Sequence, residues 1–198
     1  IMLIKNAANE EFSALKAKSL QEKIKEIKKV EEAVVKFTTD GSVIVNVIER
    51  KQVAVFLNNS LYEVLDRNGV VLSVYSDYRG LSKFPLIVGK FGSRNIPDLL
   101  TLVNELGLYG SEVLYYEWVG ERRWNVHMKS DIVFKLPESN INRGVELMRM
   151  FLRETNNYAS PLASIDLRNL DKGVGRYANI ESSWRKTLNF YDSKALHD

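Results

Sequence analysis

The sequence predicts an α+β protein in two contiguous parts. A small βαββ unit occupies residues 1–50, and a larger, mostly antiparallel β-sheet carrying two helices occupies residues 51–178. Two observations predict this. Apolar residues recur at helical spacing in only a few segments, over 19–29, 96–106 and 139–156, with a weaker trace near the C-terminus. Most of the remaining chain from Ala33 to Tyr177 is made of short strand-like runs separated by turn residues such as Asp40-Gly41 and Gly120-Glu121.

In the first part, Ser19 and Glu22 form a capping-box pattern that would start a helix reaching Lys29. Leu20, Ile24 and Ile27 make its apolar stripe, opposite Lys23, Lys25, Glu26 and Lys28. A hairpin follows, Ala33–Phe37 and Ser42–Glu49, closed by Asp40-Gly41; Val43, Val45 and Val47 share one face of its second strand. Met2 to Lys5 is available as a further strand, completing about three strands and a helix.

In the second part, strands are expected at Gln52–Leu57, Leu61–Leu65, Val70–Tyr75 and Pro85–Val88, with a turn at Asp66–Gly69. A helix over Ile96–Leu106 tolerates Pro97 in its first turn and ends at Gly107. Glu112–Val119 and Arg122–Met128 form a hairpin, and Ile132–Leu136 another strand. A helix over 139–156 then carries the stripe Ile141, Val145, Met148 and Leu152. Ala163–Leu170 and Gly173–Tyr177 close the globular part as an antiparallel ribbon with an edge open to pairing. Residues 179–198 form a tail in which Trp184, Leu188, Tyr191 and Ala195 keep helical spacing, marking either a short amphipathic helix or a docked or frayed segment.

Composition narrows the chemistry. The 198 residues are 45% hydrophobic and 27% charged, a globular composition. The net charge of +3 is too balanced for a protein whose task is neutralising nucleic-acid phosphates. The basic stretch Lys16 to Lys29 is interrupted by Glu22 and Glu26 and followed by Glu31 and Glu32, and reads as a solvated helix face. The absence of cysteine excludes disulfides, thiolate nucleophiles and sulfur-ligated zinc, while leaving the compartment open. No apolar run approaches the roughly 20 residues of a bilayer span, so a membrane anchor is expected outside this sequence.

Catalytic patterns are not found. The two histidines, His127 and His197, are too few for a metal centre, and no cofactor is expected. No Gly-x-Ser-x-Gly elbow accompanies them, and His127 alternates with Val126 and Met128 as a structural strand residue would. Glu112 and Glu117 point to opposite faces of one strand and Glu121 belongs to a turn, which leaves no carboxylate pair for glycan cleavage. Gly107-Leu-Tyr-Gly110 closes a helix and is no phosphate cradle. What remains is a non-enzymatic binding protein whose β edges accept a strand from another chain.

The order of several motifs resembles the FtsQ/DivIB cell-division family, most closely its alphaproteobacterial members, over residues 19–177. They are Ser19-Leu20-Gln21, Val30 with Ala33 and Val35, Val43, Val45 and Val47 leading into Glu49-Arg50, then Val53-Ala54. Asp66-Arg-Asn-Gly69-Val-Val-Leu72, Phe84-Pro-Leu-Ile-Val-Gly89, Arg123-Trp124-Asn-Val126 and Ile165-Asp-Leu-Arg168 follow in the family's order. Lys28-Lys29 and Gln52 depart from it, and the stretch before Ser19 is short for a complete polypeptide-transport-associated (POTRA) domain.

The resemblance implies a POTRA-like domain over 1–50 and an FtsQ-type β domain over 51–178, in the periplasm, on a single-pass inner-membrane protein. It implies partners of the FtsB and FtsL type, with septal peptidoglycan synthase components as further candidates. The implied partner-binding residues are Arg168, Asn169, Gly173, Val174, Gly175, Arg176 and Tyr177 on the ribbon Leu167–Tyr177, with Arg143, beside Glu146, as a charged contact. Tyr177 reads equally as a core aromatic. Glu49 and Arg50 mark the POTRA junction. A POTRA-type outer-membrane assembly or secretion factor, and an envelope hydrolase, are the alternatives.

Overall fold

The structure, a computed structural model, describes residues 2–38, 40–154, 162–177 and 185–189. Helix α1 (Met2–Lys25) leads into a two-stranded antiparallel sheet, β1 (Val30–Phe37) and β2 (Val43–Glu49). Its register runs from Phe37 opposite Val43 to Ala33 opposite Val47, and α1 packs on β1, whose Val30, Ala33 and Val35 are buried.

Here the structure corrects the expected first strand and the expected helix start. Met2–Lys5 is the first turn of α1, and Ser19 lies within the helix. The physical reason is local: Ala7, Ala8, Glu10, Glu11, Ala14, Leu15, Lys16, Ala17 and Lys18 include no glycine or proline and are strong helix formers, so the helix runs straight through the capping pattern. The unit is therefore αββ.

The second part is a ten-stranded sheet of order β12-β11-β10-β9-β8-β7-β6-β3-β4-β5. Its strands are β3 (Ala54–Asn58), β4 (Leu61–Leu65), β5 (Val71–Tyr75), β6 (Leu86–Val88), β7 (Val113–Val119), β8 (Arg123–Met128), β9 (Val133–Lys135), β10 (Leu162–Asp166), β11 (Lys172–Tyr177) and β12 (Arg185–Asn189). Pairing is antiparallel except for β3 with β6, β6 with β7, and β9 with β10. Parallel neighbours need a crossover. Helix α2 (Ile96–Leu106) makes it between β6 and β7, and α3 (Ile141–Glu154) between β9 and β10.

Both helices serve one face. Ile96, Leu99, Leu102 and Leu106 of α2 and Val145, Met148 and Phe151 of α3 pack with Phe56, Ile87, Tyr116, Trp118, Trp124, Val126, Phe134 and Ile165 from the strands. Trp118 and Trp124, paired across β7 and β8, meet with ring centroids 4.8 Å apart, and the Phe134 ring meets Phe151 edge-on. On the opposite face Val55 and Val64 pack with Leu81 from the 76–85 loop and with Leu86 of β6.

The structure also decides between the readings of the tail. Arg185–Asn189 is a strand paired with β11, so this stretch docks on the sheet and does not form the short helix, the other reading of the tail. Leu188 alone of that stripe is described; Trp184, Tyr191 and Ala195 lie outside the described residues. Three or four apolar positions without caps make a weak helix signal, and the open edge of β11 offers a full ladder of backbone hydrogen bonds.

Gly89 sits at φ +100° where the chain leaves β6, and a Cβ there would run into the backbone oxygen of Trp118. Gly89→Ala is expected to destabilise the protein by about 3 kcal/mol or more, through left-handed strain plus displacement of β7. Urea unfolding followed by circular dichroism checks this.

Candidate functional site

The C-terminal end of the sheet is built by β10, β11 and β12. β11 lies between two neighbours: Ile165 pairs with Gly175 and Asp166 with Val174 on one side, while Gly173 pairs with Leu188 and Gly175 with Lys186 on the other. Gly173 and Gly175 are buried, Val174 is half-buried, and Arg168, Asn169 and Arg176 are exposed. Asn169 shapes the turn into β11: its Oδ1 accepts the Asp171 amide at 2.9 Å, and its carbonyl accepts the Lys172 amide at 3.3 Å. The ribbon read from sequence exists, but the side of β11 away from β10 is taken by β12. Among the described residues the last strand of the sheet on this side is β12.

Beside it is a polar shelf that sequence reading missed. Lys135 of β9, Ser164 and Asp166 of β10, Arg168, and Val174 and Arg176 of β11 line a depression of about 170 Å³. Asp166 is the only carboxylate among the described residues that line it. Its Oδ1 accepts the Arg168 backbone amide at 3.1 Å and Nε at 2.8 Å, and its Oδ2 accepts Nη2. Burial pushes the Asp166 carboxyl up, but its bonds to Arg168 and the nearby Lys135 charge hold it below the usual carboxylate range. Three cations around one carboxylate leave the shelf positive. The alternation within each strand was legible; that β9, β10 and β11 are neighbours was not.

Arg143, the expected charged contact, is bound on its own helix: its Nη1 donates to Glu146 Oε2 at 2.6 Å. Such exposed pairs contribute little to stability. Glu49 is exposed at the end of β2, opposite Val30.

Arg50 has a more demanding place. Its amide donates to the Lys29 carbonyl at 2.8 Å, fastening it to the first unit, while Nη1 donates to Asp66 Oδ2 at 2.6 Å, fastening it to the turn between β4 and β5. The Asp66 side chain is only 2% exposed. Its Oδ1 accepts the amides of Asn68 and Val70, at 2.9 and 2.8 Å, so one carboxylate closes its own turn and anchors the arginine. Burial pushes the Asp66 carboxyl up, but the Val70 amide, Arg50 and the Asn68 amide hold it below its ordinary value of 3.8. Arg67 adds a second link across the junction, to Glu31 at 2.6 Å.

On the face of β7 and β8 away from the helices, His127 Nε2 donates to Glu117 Oε2 at 2.8 Å, and Asn125 Nδ2 donates to the same oxygen at 2.9 Å. The His127 ring stacks on Tyr115 with centroids 4.2 Å apart. Glu112 lies in the short 3₁₀ turn before β7, away from this cluster's strand positions. Among the described residues no group of three or more histidines, cysteines or carboxylates is placed to hold a metal ion.

The molecule is thus an α+β sheet protein whose described strands end at β12 on one side and β5 on the other, with a positive shelf over β9, β10 and β11. Comparison with known proteins places that class. A family model described as cell division protein FtsQ/DivIB, C-terminal, matches residues 54–168, more than half of the chain. The chain belongs to the FtsQ/DivIB family of cell-division proteins.

It is 28% identical over 160 residues to the cell division protein FtsQ of Bradyrhizobium diazoefficiens, covering 81% of this chain and 46% of that protein. It is 22% identical over 183 residues to the FtsQ of Agrobacterium fabrum, covering 92% of this chain and 57% of that one. The chain thus spans about half the length of these relatives. A solved structure of the major extracytoplasmic domain of the division protein DivIB from Geobacillus stearothermophilus matches 56% of this chain and 98% of its own, at 15% identity and a TM-score of 0.40. No described helix is long and apolar enough to cross a membrane.

Asp66→Asn is expected to destabilise the protein by about 2–4 kcal/mol at pH 7, because the buried Arg50 side loses its counter-charge. The contribution of Asp66 is present above its unfolded value near 3.8 and is lost as pH falls through the lower folded value. The variant should therefore lose less stability than the parent between pH 4 and pH 2, measured by urea unfolding across that range.

Proposed function

We propose that this chain is the extracytoplasmic, non-enzymatic part of a divisome scaffold, carried by a single-pass inner-membrane protein, that holds small partners of the FtsB and FtsL type by β-strand addition. Family membership supports the division role. The observation that carries the mechanism is the sheet's C-terminal end, a run of consecutive antiparallel strands that finishes on β12, beyond which no described strand pairs.

The partner strand adds to the outer side of β12, extending the ladder that β10, β11 and β12 begin. Main-chain hydrogen bonds supply affinity there. Gly173, Val174 and Gly175 act as the strand behind the dock, since β12 already pairs with them. Arg168 and Arg176, exposed on the shelf with Lys135, favour a partner carrying acidic residues beside its strand. Arg50 and Glu49 act in this reading as the junction that orients the first unit, with Arg50 committed to Asp66.

Amide hydrogen exchange with and without the extracytoplasmic segment of the cognate FtsB-like protein tests this. Added protection is expected in 185–189, while 172–177 is already slow in the free protein. Thr187→Pro should weaken binding at least about tenfold with circular dichroism unchanged, because proline breaks the edge ladder. Protection confined to the far edge at β5, or binding indifferent to Thr187→Pro, overturns the reading.

A further inference from the structure

In the interior of the large sheet, at the starts of β6 and β7, the two apolar clusters do not close on each other. Tyr78, Phe84 and Leu86 pack on the small cluster of Val55, Val64 and Leu81, while Tyr116 belongs to the main core and Val103 and Val113 pack against it. Both sets line a cleft of about 440 Å³, together with the turn at residues 107–112. Ligand-binding clefts span roughly 300–1,000 Å³. All of its walls come from residues 78–129, within the span matched by the family model, so its shape is independent of where the sequence starts.

Two features define what the cleft would hold. The first is Tyr116, which is 3% exposed and whose hydroxyl has no hydrogen-bond partner among the described residues. Burial pushes its pKa up, so it lines the cleft as a neutral donor. A hydroxyl held in an apolar wall without an acceptor is costly, and an acceptor bound in the cleft relieves that cost. The second is charge. Lys83 stands over the Phe84 ring, its Nζ 5.0 Å from the centroid, and Lys129 Nζ donates to the Ser111 carbonyl at 2.6 Å, so both ammonium groups are held at the rim. No carboxylate is among the described residues that line the cleft. An apolar interior with one donor and two cations suits an apolar group joined to an anion.

The surface beside the cleft separates a small molecule from a chain. Leu114, which lines it, is 53% exposed, and Leu108, on the 107–112 turn, is 93% exposed. A ligand confined to the cleft leaves both uncovered, whereas a polypeptide crossing it covers them. We propose that the cleft captures a short segment of a partner polypeptide, with a bulky apolar side chain against Leu86 and Val103 and an adjacent carboxylate between Lys83 and Lys129. β8, β9, β10 and β11 separate the cleft from β12, so this docking point stands apart from the strand-addition reading.

The test is nuclear magnetic resonance of the isotope-labelled chain, titrated with the peptide acetyl-Gly-Leu-Phe-Asp-Gly-amide. Saturable shifts are expected at residues 82–86, 110–114 and 129, and the peptide with Asn in place of Asp should bind at least about threefold more weakly. Lys83→Gln and Lys129→Gln should each weaken binding about threefold, and Tyr116→Phe, which removes only the hydroxyl, about three- to tenfold. Gly110→Trp should abolish binding with thermal unfolding unchanged, because a Cβ at Gly110 meets nothing within 4 Å and the indole is free to enter the cleft. A folded Gly110→Trp variant that binds as tightly as the parent, or no saturable shift at these residues up to about 10 mM peptide, overturns the proposal. Octanoate binding as tightly as the peptide also overturns it, by assigning the cleft to free amphiphiles. So does resistance of Gly110→Cys to thiol labelling in the full-length protein without partners, which shows a segment of the same protein already in the cleft.

Discussion

Among the described residues, ten strands bury one apolar face beneath two helices, α2 and α3. That constraint orders most of the molecule. Because α2 and α3 are both crossovers between parallel neighbours, both land on one side of the sheet, and the residues facing them, from Phe56 in β3 to Ile165 in β10, become the core. The opposite side is left mostly to polar groups. Glu117 with His127, and Asp166 with Arg168, sit there because their strand positions alternate with Tyr116, Trp118, Val126 and Ile165. Among the described residues the sheet ends at β12 on one side and at β5 on the other.

A second constraint acts at the join between the two parts. Asp66 is a buried carboxylate that would be costly alone, and it is satisfied by two amides of its own turn and by Arg50. Because Arg50 follows β2 directly, the ion pair ties the end of the first unit to the β4–β5 turn with almost no linker between.

Strand addition suits a protein with this surface. The hydrogen-bonding groups of an edge are supplied by backbone, so an edge needs no conspicuous residues to be useful, and sequence inspection looks past it. The family to which the chain belongs supplies the cellular setting of division, and the reading proposed above places a partner strand at a sheet edge.

Much of the fold was legible in the sequence because it is local. Leu61–Leu65 and the helix Ile96–Leu106 stand where alternation, a Pro97 start and a Gly107 stop put them, and most other strands fall within two or three residues of the expected place. Misreadings arose where a local signal was weaker than its surroundings: the capping pattern at Ser19 inside an uninterrupted helix, and the helical spacing after Trp184, where β11 offered pairing. Glu49-Arg50 was visible as a charged pair, but not its hold on Asp66, and Gly173–Gly175 was visible as ribbon, but not the strand that flanks it. The sequence by itself determined which residues alternate and which segments turn, since these depend on side chains close along the chain. Only the tertiary structure decided strand order, and with it the shelf of Lys135, Asp166, Arg168 and Arg176 and the identity of each open edge. Pairing between strands is a choice among distant segments of similar pattern, made by how the whole sheet buries its one apolar face.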